Sequence, residues 1–129
     1  MKAYLIDPAT RTLLAVDVET ENGSQLRSMY RYLDCQLVDC VRDVIPGHDL
    51  WIDDEGSLYE EPPHGLFYAE GTPQQIFFGR ALVMSSNDEG DTSAATCSVD
   101  DITQRIAAVV DISSLGLSVA PLVVSGSIG

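Results

Sequence analysis

The chain has 129 residues and 45% of them are apolar, so it is long enough to form one ordinary domain with its own core and is not a disordered chain. Its 20 acids against 7 bases give a formal net charge of −13, which disfavours nucleic acid and anionic membranes as direct partners and favours basic proteins. No apolar run reaches the length of a membrane span and no secretory signal is recognisable, so we expect a cytoplasmic protein with reduced thiols.

The first third of the chain predicts two strands and one helix. Residues 2–6 form an apolar strand, and residues 12–18 alternate apolar and polar side chains, as in an antiparallel sheet with one face in water. Ser24 is a suitable helix N-cap, because its hydroxyl can accept a hydrogen bond from a free backbone N–H of the first turn. The apolar stripe of this helix repeats at helical spacing: Leu26, Met29, Tyr30 and Leu33.

Further strands are predicted in the middle of the chain. Residues 35–44 carry apolar side chains on both faces, which favours a strand in the interior of the sheet. Residues 45–48 form a turn, and residues 66–68 are interpreted as a short edge strand. Residues 77–84 predict a central strand in which Gly79 permits a close approach by a neighbouring group.

A hairpin is predicted at residues 49–59. Its first strand places Leu50 and Ile52 on one face, and Trp51 and Asp53 on the other, because successive strand residues point to opposite sides.

The hairpin closes through an acid–glycine turn. Residues 53–56 fit a type I turn that ends at Gly56 with positive φ, and residues 87–90 repeat the pattern with Gly90. Calcium-binding loops are longer and place oxygen ligands at alternating positions, which these turns do not. We therefore predict exposed turns and no metal site.

The last third of the chain predicts a second helix and a distinct tail. Ser98 is the N-cap of the helix, and Asp101 stands three residues later in the position of a near capping box. Residues 112–129 carry no charge and are rich in Ser, Gly and Val, so they form either an extra strand or a disordered tail through which copies could self-associate. We expect residues 1–111 to fold alone. The predicted helix has one apolar stripe: Ile102, Ile106, Val109 and Val110.

These elements predict the fold class. Short alternating strands separated by turn signals favour an antiparallel arrangement, and two helices accompany them. The expected structure is a single α+β domain with a mostly antiparallel sheet of five or six strands and both helices on one face.

Motifs of catalysis are absent. The sequence contains no Gly-rich phosphate loop, no Cys-x-x-Cys pair, no His-x-x-x-His pair and no nucleophile elbow. Cys35, Cys40 and Cys97 do not have zinc or redox spacing. His48 and His64 each stand beside a turn residue, so we interpret them as surface histidines. We therefore expect that the protein is not an enzyme and that it binds no cofactor and no metal.

Charge is distributed unevenly along the chain. Between residues 43 and 78 there are eight acids and no Lys or Arg. This pattern predicts an acidic contact surface, although surface acid could also serve solubility or reflect a saline host, since Lys2 is the single lysine. The predicted interaction surface comprises Asp49, Trp51, Asp53, Asp54, Glu55, Glu60, Glu61, Asp88 and Glu89.

Four segments resemble a known family: residues 1–8 (MKAYLIDP), 30–41, 49–56 (DLWIDDEG) and 79–83 (GRALV). The sequence is similar over roughly residues 1–110 to a family of small uncharacterised proteins, a domain of unknown function found in phages, prophages, plasmids and the bacteria and archaea that carry them. The resemblance brings no catalytic residues. It implies an accessory gene of a mobile element.

Three functions follow from these observations. The first is an interaction protein that binds a basic host surface, with carboxylates standing where the phosphates of a nucleic acid would lie in a defence or repair enzyme. The second is a nucleotide-binding protein, which requires its candidate basic residues to converge in one pocket: Arg27, Arg31, Arg42 and Arg80. The third is an enzyme that pairs Asp53 with Asp88, if the two acid–glycine turns meet in a cleft.

Overall fold

The computed structural model describes residues 1–53, 65–68, 75–87, 89, 91–113 and 116–125. Two α-helices lie in this part of the chain, α1 at Gln25–Leu33 and α2 at Val99–Thr103, and a 3-10 helix spans Glu21–Gly23. The strands are β1 Lys2–Asp7, β2 Thr12–Asp17, β3 Val38–Ile45, β4 His48–Asp53, β5 Gly65–Tyr68, β6 Gln75–Phe78, β7 Ala81–Ser86, β8 Thr92–Ser93, β9 Ile106–Ser113, β10 Gly116–Pro121 and β11 Val123–Val124.

The strands form two sheets, which corrects the prediction of one sheet with five or six strands. The large sheet has seven strands in the order β11-β2-β1-β7-β4-β3, with β8 paired to β7. The small sheet has four strands in the order β10-β9-β5-β6. The pairings are antiparallel except for β11 with β2, which are parallel. The fold is α+β.

The large sheet lies between two layers. In β1, Ala3 contributes to a core with Met29 and Leu33 of α1, while Tyr4 and Ile6 face the opposite side. On that opposite side the small sheet and α2 supply the partners, so helix, large sheet and small sheet are stacked in order. The two faces of β1 and β7 are both apolar because both are covered.

Helix α1 follows the prediction in position and only partly in its buried face. It starts after Ser24, whose side chain makes no capping hydrogen bond. Met29 and Leu33 are buried, but Leu26 of the predicted stripe is exposed. Ser28 takes part in the buried face because its Oγ accepts a hydrogen bond from the Glu19 N–H at 3.2 Å.

The predicted central strand at residues 77–84 is two strands in different sheets. Gly79 has φ of 85°, a backbone conformation that L side chains rarely adopt, and it separates β6 from β7. The continuous apolar run hides this break because the residues on both sides of it are apolar. The predicted edge strand at residues 66–68 lies inside the small sheet, since β5 pairs with both β6 and β9.

Strand β3 lies at the edge of the large sheet, which corrects its predicted interior position. Its pairing with β4 shifts between Val41 and Ile45, so residues 42–44 bulge opposite a single residue of β4. Bulges of this kind twist an edge and interrupt its pattern. The bulge therefore explains why the apolar residues of β3 do not alternate regularly in the sequence.

The second predicted helix is short. Ser98 and Asp101 form the predicted capping box, with both hydrogen bonds at 3.1 Å, but α2 ends at Thr103. Ile106 and Val109, predicted on the helix, belong to strand β9 instead. Their neighbourhood is rich in β-branched residues, which fit a pleated strand better than a helix. No helix of the described residues is long and apolar enough to cross a membrane.

Residues beyond 111 contribute to the fold. β9 continues to Ser113 and pairs with β10, and β11 pairs with β2. Between β10 and β11 the chain passes from the small sheet to the large one, and Leu122 at this crossing is 6% exposed within the core. Truncation after Asp111 is therefore expected to destabilise the domain, contrary to the expectation from sequence.

Strand β4 confirms the first half of the predicted hairpin at residues 49–59. Leu50 and Ile52 pack in the core toward the small sheet, and Trp51 packs toward α1. The predicted turn with Gly56, and Gly90 of the second turn, lie outside the described residues.

We predict that Leu122→Ala lowers the free energy of unfolding by about 2 to 4 kcal/mol, because it removes buried methyl groups and leaves a cavity. The neighbouring Val123→Ala, at a side chain that is 62% exposed, should change it by less than about 0.5 kcal/mol. Urea denaturation of both variants measures the difference. Equal small effects would show that the segment after β9 is not part of the core.

Candidate functional site

Asp49 holds the bulge of β3 in place. It is buried, its Oδ1 accepts a hydrogen bond from the Asp43 N–H at 3.0 Å, and its Oδ2 lies 3.5 Å from an Arg42 nitrogen. The bulge would otherwise leave the Asp43 N–H without a strand partner. Asp49 was predicted to belong to the interaction surface, but its carboxylate is used inside the hairpin.

The turn of the same hairpin is Pro46-Gly47. Gly47 has φ of 75°, and its N–H donates to the Asp43 Oδ1 at 3.1 Å. Asp43 itself has φ of 59°, which Asp tolerates better than most residues. A carboxylate on each side of the hairpin thus satisfies backbone N–H groups that the irregular strand exposes.

His48 is buried, which corrects its prediction as a surface histidine. It is 4% exposed, and its Nε2 accepts hydrogen bonds from the backbone N–H of Thr96 at 2.9 Å and of Cys97 at 3.1 Å. Its Nδ1 lies 3.1 Å from the carbonyl oxygen of Pro46, to which it donates when Nε2 is the acceptor. This residue ties the β3–β4 turn to the segment before α2. His64 lies outside the described residues.

The loop after β7 lies beside this turn. The Gly47 carbonyl accepts hydrogen bonds from the Ser85 hydroxyl at 3.0 Å and from the Ser86 N–H at 3.3 Å. Asn87 closes the loop, since its Oδ1 accepts from the N–H groups of Glu89 and Asp91 at 3.0 and 2.9 Å.

One end of the large sheet therefore gathers three exposed acids, which we call the acidic end: Asp43, Glu89 and Asp91.

Asp53, the described residue of the acid–glycine turn at residues 53–56, lies at the other end of the strands. β4 runs antiparallel to β7, with His48 opposite Ser85 and Ile52 opposite Ala81. Asp53 therefore ends β4 about 16 Å from the acidic end, at about 3.3 Å per residue. Among the described residues, Asp53 therefore lies far from Asn87 and Glu89 of the second segment, while Asp88 of the predicted acid–base pair lies outside the described residues.

Only part of the predicted interaction surface is exposed. Asp53 is buried, and Trp51 is partly buried against the α1 side of the sheet. The indole Nε1–H of Trp51 is buried with no hydrogen-bond acceptor among the described residues. Glu89 is exposed. Five further acids of the predicted surface lie outside the described residues: Asp54, Glu55, Glu60, Glu61 and Asp88.

The four arginines of the alternative ligand site do not converge in one pocket. Arg42 is at the β3 bulge, and Arg80 has its Nε 3.7 Å from an Asp7 oxygen and donates to the Tyr32 carbonyl at 3.3 Å. Arg27 and Arg31 do share an open groove of about 410 Å³, with Glu19 3.6 Å from Arg31.

The thiols of Cys40 and Cys97 are less acidic than a free cysteine. Burial raises the pKa of the Cys40 thiol, and the neighbouring Asp49 charge adds to this. Burial also raises the pKa of Cys97. Both thiols are therefore poor nucleophiles at neutral pH. In the part of the chain that the structure describes, no group of three or more His, Cys, Asp or Glu side chains could hold a metal ion.

Comparison with known protein families shows to which family the chain belongs. The model of the domain of unknown function DUF3846 matches residues 1–107. The chain belongs to this family. The match confirms the resemblance to an uncharacterised family and covers the whole of α1, the β3–β4 hairpin and β7, each of which the quoted segments overlap in part. β10 and β11 lie beyond the matched DUF3846 residues. No curated protein and no solved structure matches the chain.

We predict that His48→Phe lowers the free energy of unfolding by about 1 to 3 kcal/mol more than His48→Gln does. Phe leaves the Thr96 and Cys97 N–H groups without an acceptor, whereas the Gln carbonyl oxygen can still accept. Denaturant unfolding at neutral pH compares the variants. Equal losses would mean that ring packing, and not hydrogen bonding, is the role of His48.

A second prediction concerns pH. The backbone N–H and then the hydroxyl of Ser98 lower the pKa of Asp101 from the ordinary value of 3.8. Since the folded pKa is lowered, the stabilisation by Asp101 is complete above the unfolded value and is lost as pH falls through the folded one. Asp101→Asn should therefore melt below the wild type at pH 7, and the difference should shrink in strong acid. A difference that is independent of pH would contradict the charge-assisted cap.

Proposed function

We propose that the protein acts by binding a basic surface of another protein through its exposed carboxylates and catalyses no reaction. The observation that supports this is the lack of internal neutralisation. Arg31, Arg42 and Arg80 are each within 4 Å of a carboxylate. In contrast, several exposed acids have no Lys, Arg or His nitrogen within 4 Å among the described residues: Glu21, Asp34, Asp39, Asp43, Glu89, Asp91 and Asp100.

This excess charge has a physical consequence at a distance. Unneutralised carboxylates create a negative potential that extends over about one Debye length, roughly 10 Å at 0.1 M salt. Such a field attracts a basic partner before contact and mainly raises the rate of association. Buried Asp49 and Asp53 contribute less to contact, so the proposed recognition residues are the acids of the acidic end and the acids of residues 54–61 in the base-free stretch.

The proposed partner is a host protein that binds nucleic acid. A surface that attracts polyanions must carry positive charge, and carboxylates on a folded protein can occupy it in place of phosphates. The base-free stretch of residues 43–78 supports this reading, as does the resemblance to proteins of phages and plasmids. In this proposal the protein is an accessory product of a mobile element that inhibits a defence or repair enzyme as a nucleic-acid mimic.

Nucleotide binding is the second candidate. The groove shared by Arg27 and Arg31 favours it, because two guanidinium groups can grip a phosphate. Glu19 lies in the same groove and opposes an anion, and Arg42 and Arg80 contact other elements. The groove thus provides two of the four basic residues that this function was expected to use.

Three variants with equal charge change test the proposal. The first changes Asp54, Glu55 and Glu60 to their amides, the second Asp43, Glu89 and Asp91, and a control changes Glu21, Asp34 and Asp100. The partner is captured from host lysate with the wild-type protein at low salt and identified, and association rates are then measured at several salt concentrations.

We expect the first two variants to associate several-fold more slowly than the control and to show weaker salt dependence, while dissociation changes little. Duplex DNA should compete for the captured partner. If the three variants behave alike, the charge acts only as a general field. Unchanged rates in all three would leave the acids as a solubility feature and remove the proposal.

A further inference from the structure

One corner of the molecule differs in charge from the rest of the surface. β10 ends the small sheet, β11 ends the large sheet, and both lie in residues 112–129, which contain no charged side chain. Val119, Val123 and Val124 on these strands are exposed, with Val124 at 52%. In a chain of net charge −13, this is the longest uncharged run. We call strands β10 and β11 with the connecting Leu122 the uncharged edge.

No strand among the described residues pairs with the outer side of β11. The Val123 N–H donates to the Arg11 carbonyl and the Ser125 N–H donates to the Leu13 carbonyl, both at 2.8 Å. Because backbone groups alternate in direction along a strand, the N–H and C=O of Val124 between them point away from β2. A strand with such groups at a sheet edge is a template for another strand.

The opposite edge of the same sheet is protected. β3 carries the exposed charged residues Asp39, Arg42 and Asp43, and its bulge interrupts regular pairing. Charges and bulges are the features that prevent edge-to-edge pairing of strands. Neither feature is present in β11. The contrast within one sheet indicates that one edge is closed to partners and the other is open.

We infer that β11 binds β11 of a second copy of this chain. Two copies repel each other wherever their acidic surfaces approach, and the uncharged edge is a region where they can meet without opposing carboxylates. A two-fold antiparallel arrangement is self-complementary, since the outward N–H and C=O of Val124 pair with the same groups of the partner copy. The large sheets of the two copies become continuous across this contact.

Sedimentation velocity of the full chain tests this at rising protein concentration, in low and high salt. The dimer fraction should increase with concentration and also with salt, because salt screens the repulsion between two acidic molecules. This salt response is opposite to that of the basic partner in the proposed function, so the two interactions can fail independently.

Substitutions at residue 124 locate the contact. Val124→Glu and Val124→Lys should each weaken dimerisation by about tenfold or more, because like charges then face each other across the two-fold axis. An equimolar mixture of the two variants should recover the dimer. Leu26→Glu is the matched control, since Leu26 is 47% exposed on α1 and the charge change is the same. It should alter dimerisation by less than about twofold.

Thermal melting shows whether each variant is folded. If a variant unfolds, the sedimentation of the wild-type protein at several concentrations and salts still tests the inference. A wild-type protein that remains monomeric at high concentration and high salt overturns the inference. So does a Val124→Lys variant that dimerises more strongly than the wild type, because net charge alone would then control association. Equal weakening by Leu26→Glu would also place the contact elsewhere.

Discussion

Residues 81–84 of β7 have no exposed surface, and each face of this strand has to be covered by a separate layer. Leu82 and Met84 face α1, while Ala81 and Val83 face the small sheet. β7 also pairs with β1 and β4 on its two sides. Burial on both faces and both edges makes β7 the centre of the fold, and the helix–sheet–sheet order follows from the need to remove both faces from water.

Polar residues inside this arrangement hold irregular backbone in place. Asp49 accepts the N–H of the β3 bulge, and His48 accepts two N–H groups of the segment before α2. Buried polar side chains of this kind are hydrogen-bonded because an unpaired buried donor is costly. In the sequence, Asp49 and His48 look like candidate functional residues. In the structure, both lie within the part that matches DUF3846, and their hydrogen bonds hold the backbone in place.

The surface contains two regions that differ in charge. Exposed acids lie on loops and on the β3 edge, where their charge repels other copies and attracts basic groups. The uncharged edge lies on β10 and β11, beyond the residues that the family model matches. Self-association through this edge would leave the acidic end free, since Asp43 and β11 lie at opposite edges of the large sheet. Two copies would then present two acidic surfaces to a partner.

Local features of this protein were accessible from the sequence because they depend on neighbouring residues. Hydrophobic alternation predicted β2 and the two faces of β4, and helical spacing predicted α1. Ser98 with Asp101 predicted the capping box. The excess of acid and the uncharged tail are likewise properties of composition. For the candidate site, the sequence identified the acids and arginines, but not which of them are exposed.

Tertiary structure decided the features that join distant segments. The break at Gly79 is hidden because the sequence is apolar on both sides of it. The apolar residues after residue 105 fit either a helix or a strand, and pairing with β5 and β10 makes them a strand. His48 finds its partners 48 and 49 residues away, which no local pattern records. The distance between Asp53 and the acidic end follows from the antiparallel register of β4 and β7. Long-range pairing and burial set these outcomes, because the energy of each residue depends on neighbours that only the folded chain brings together.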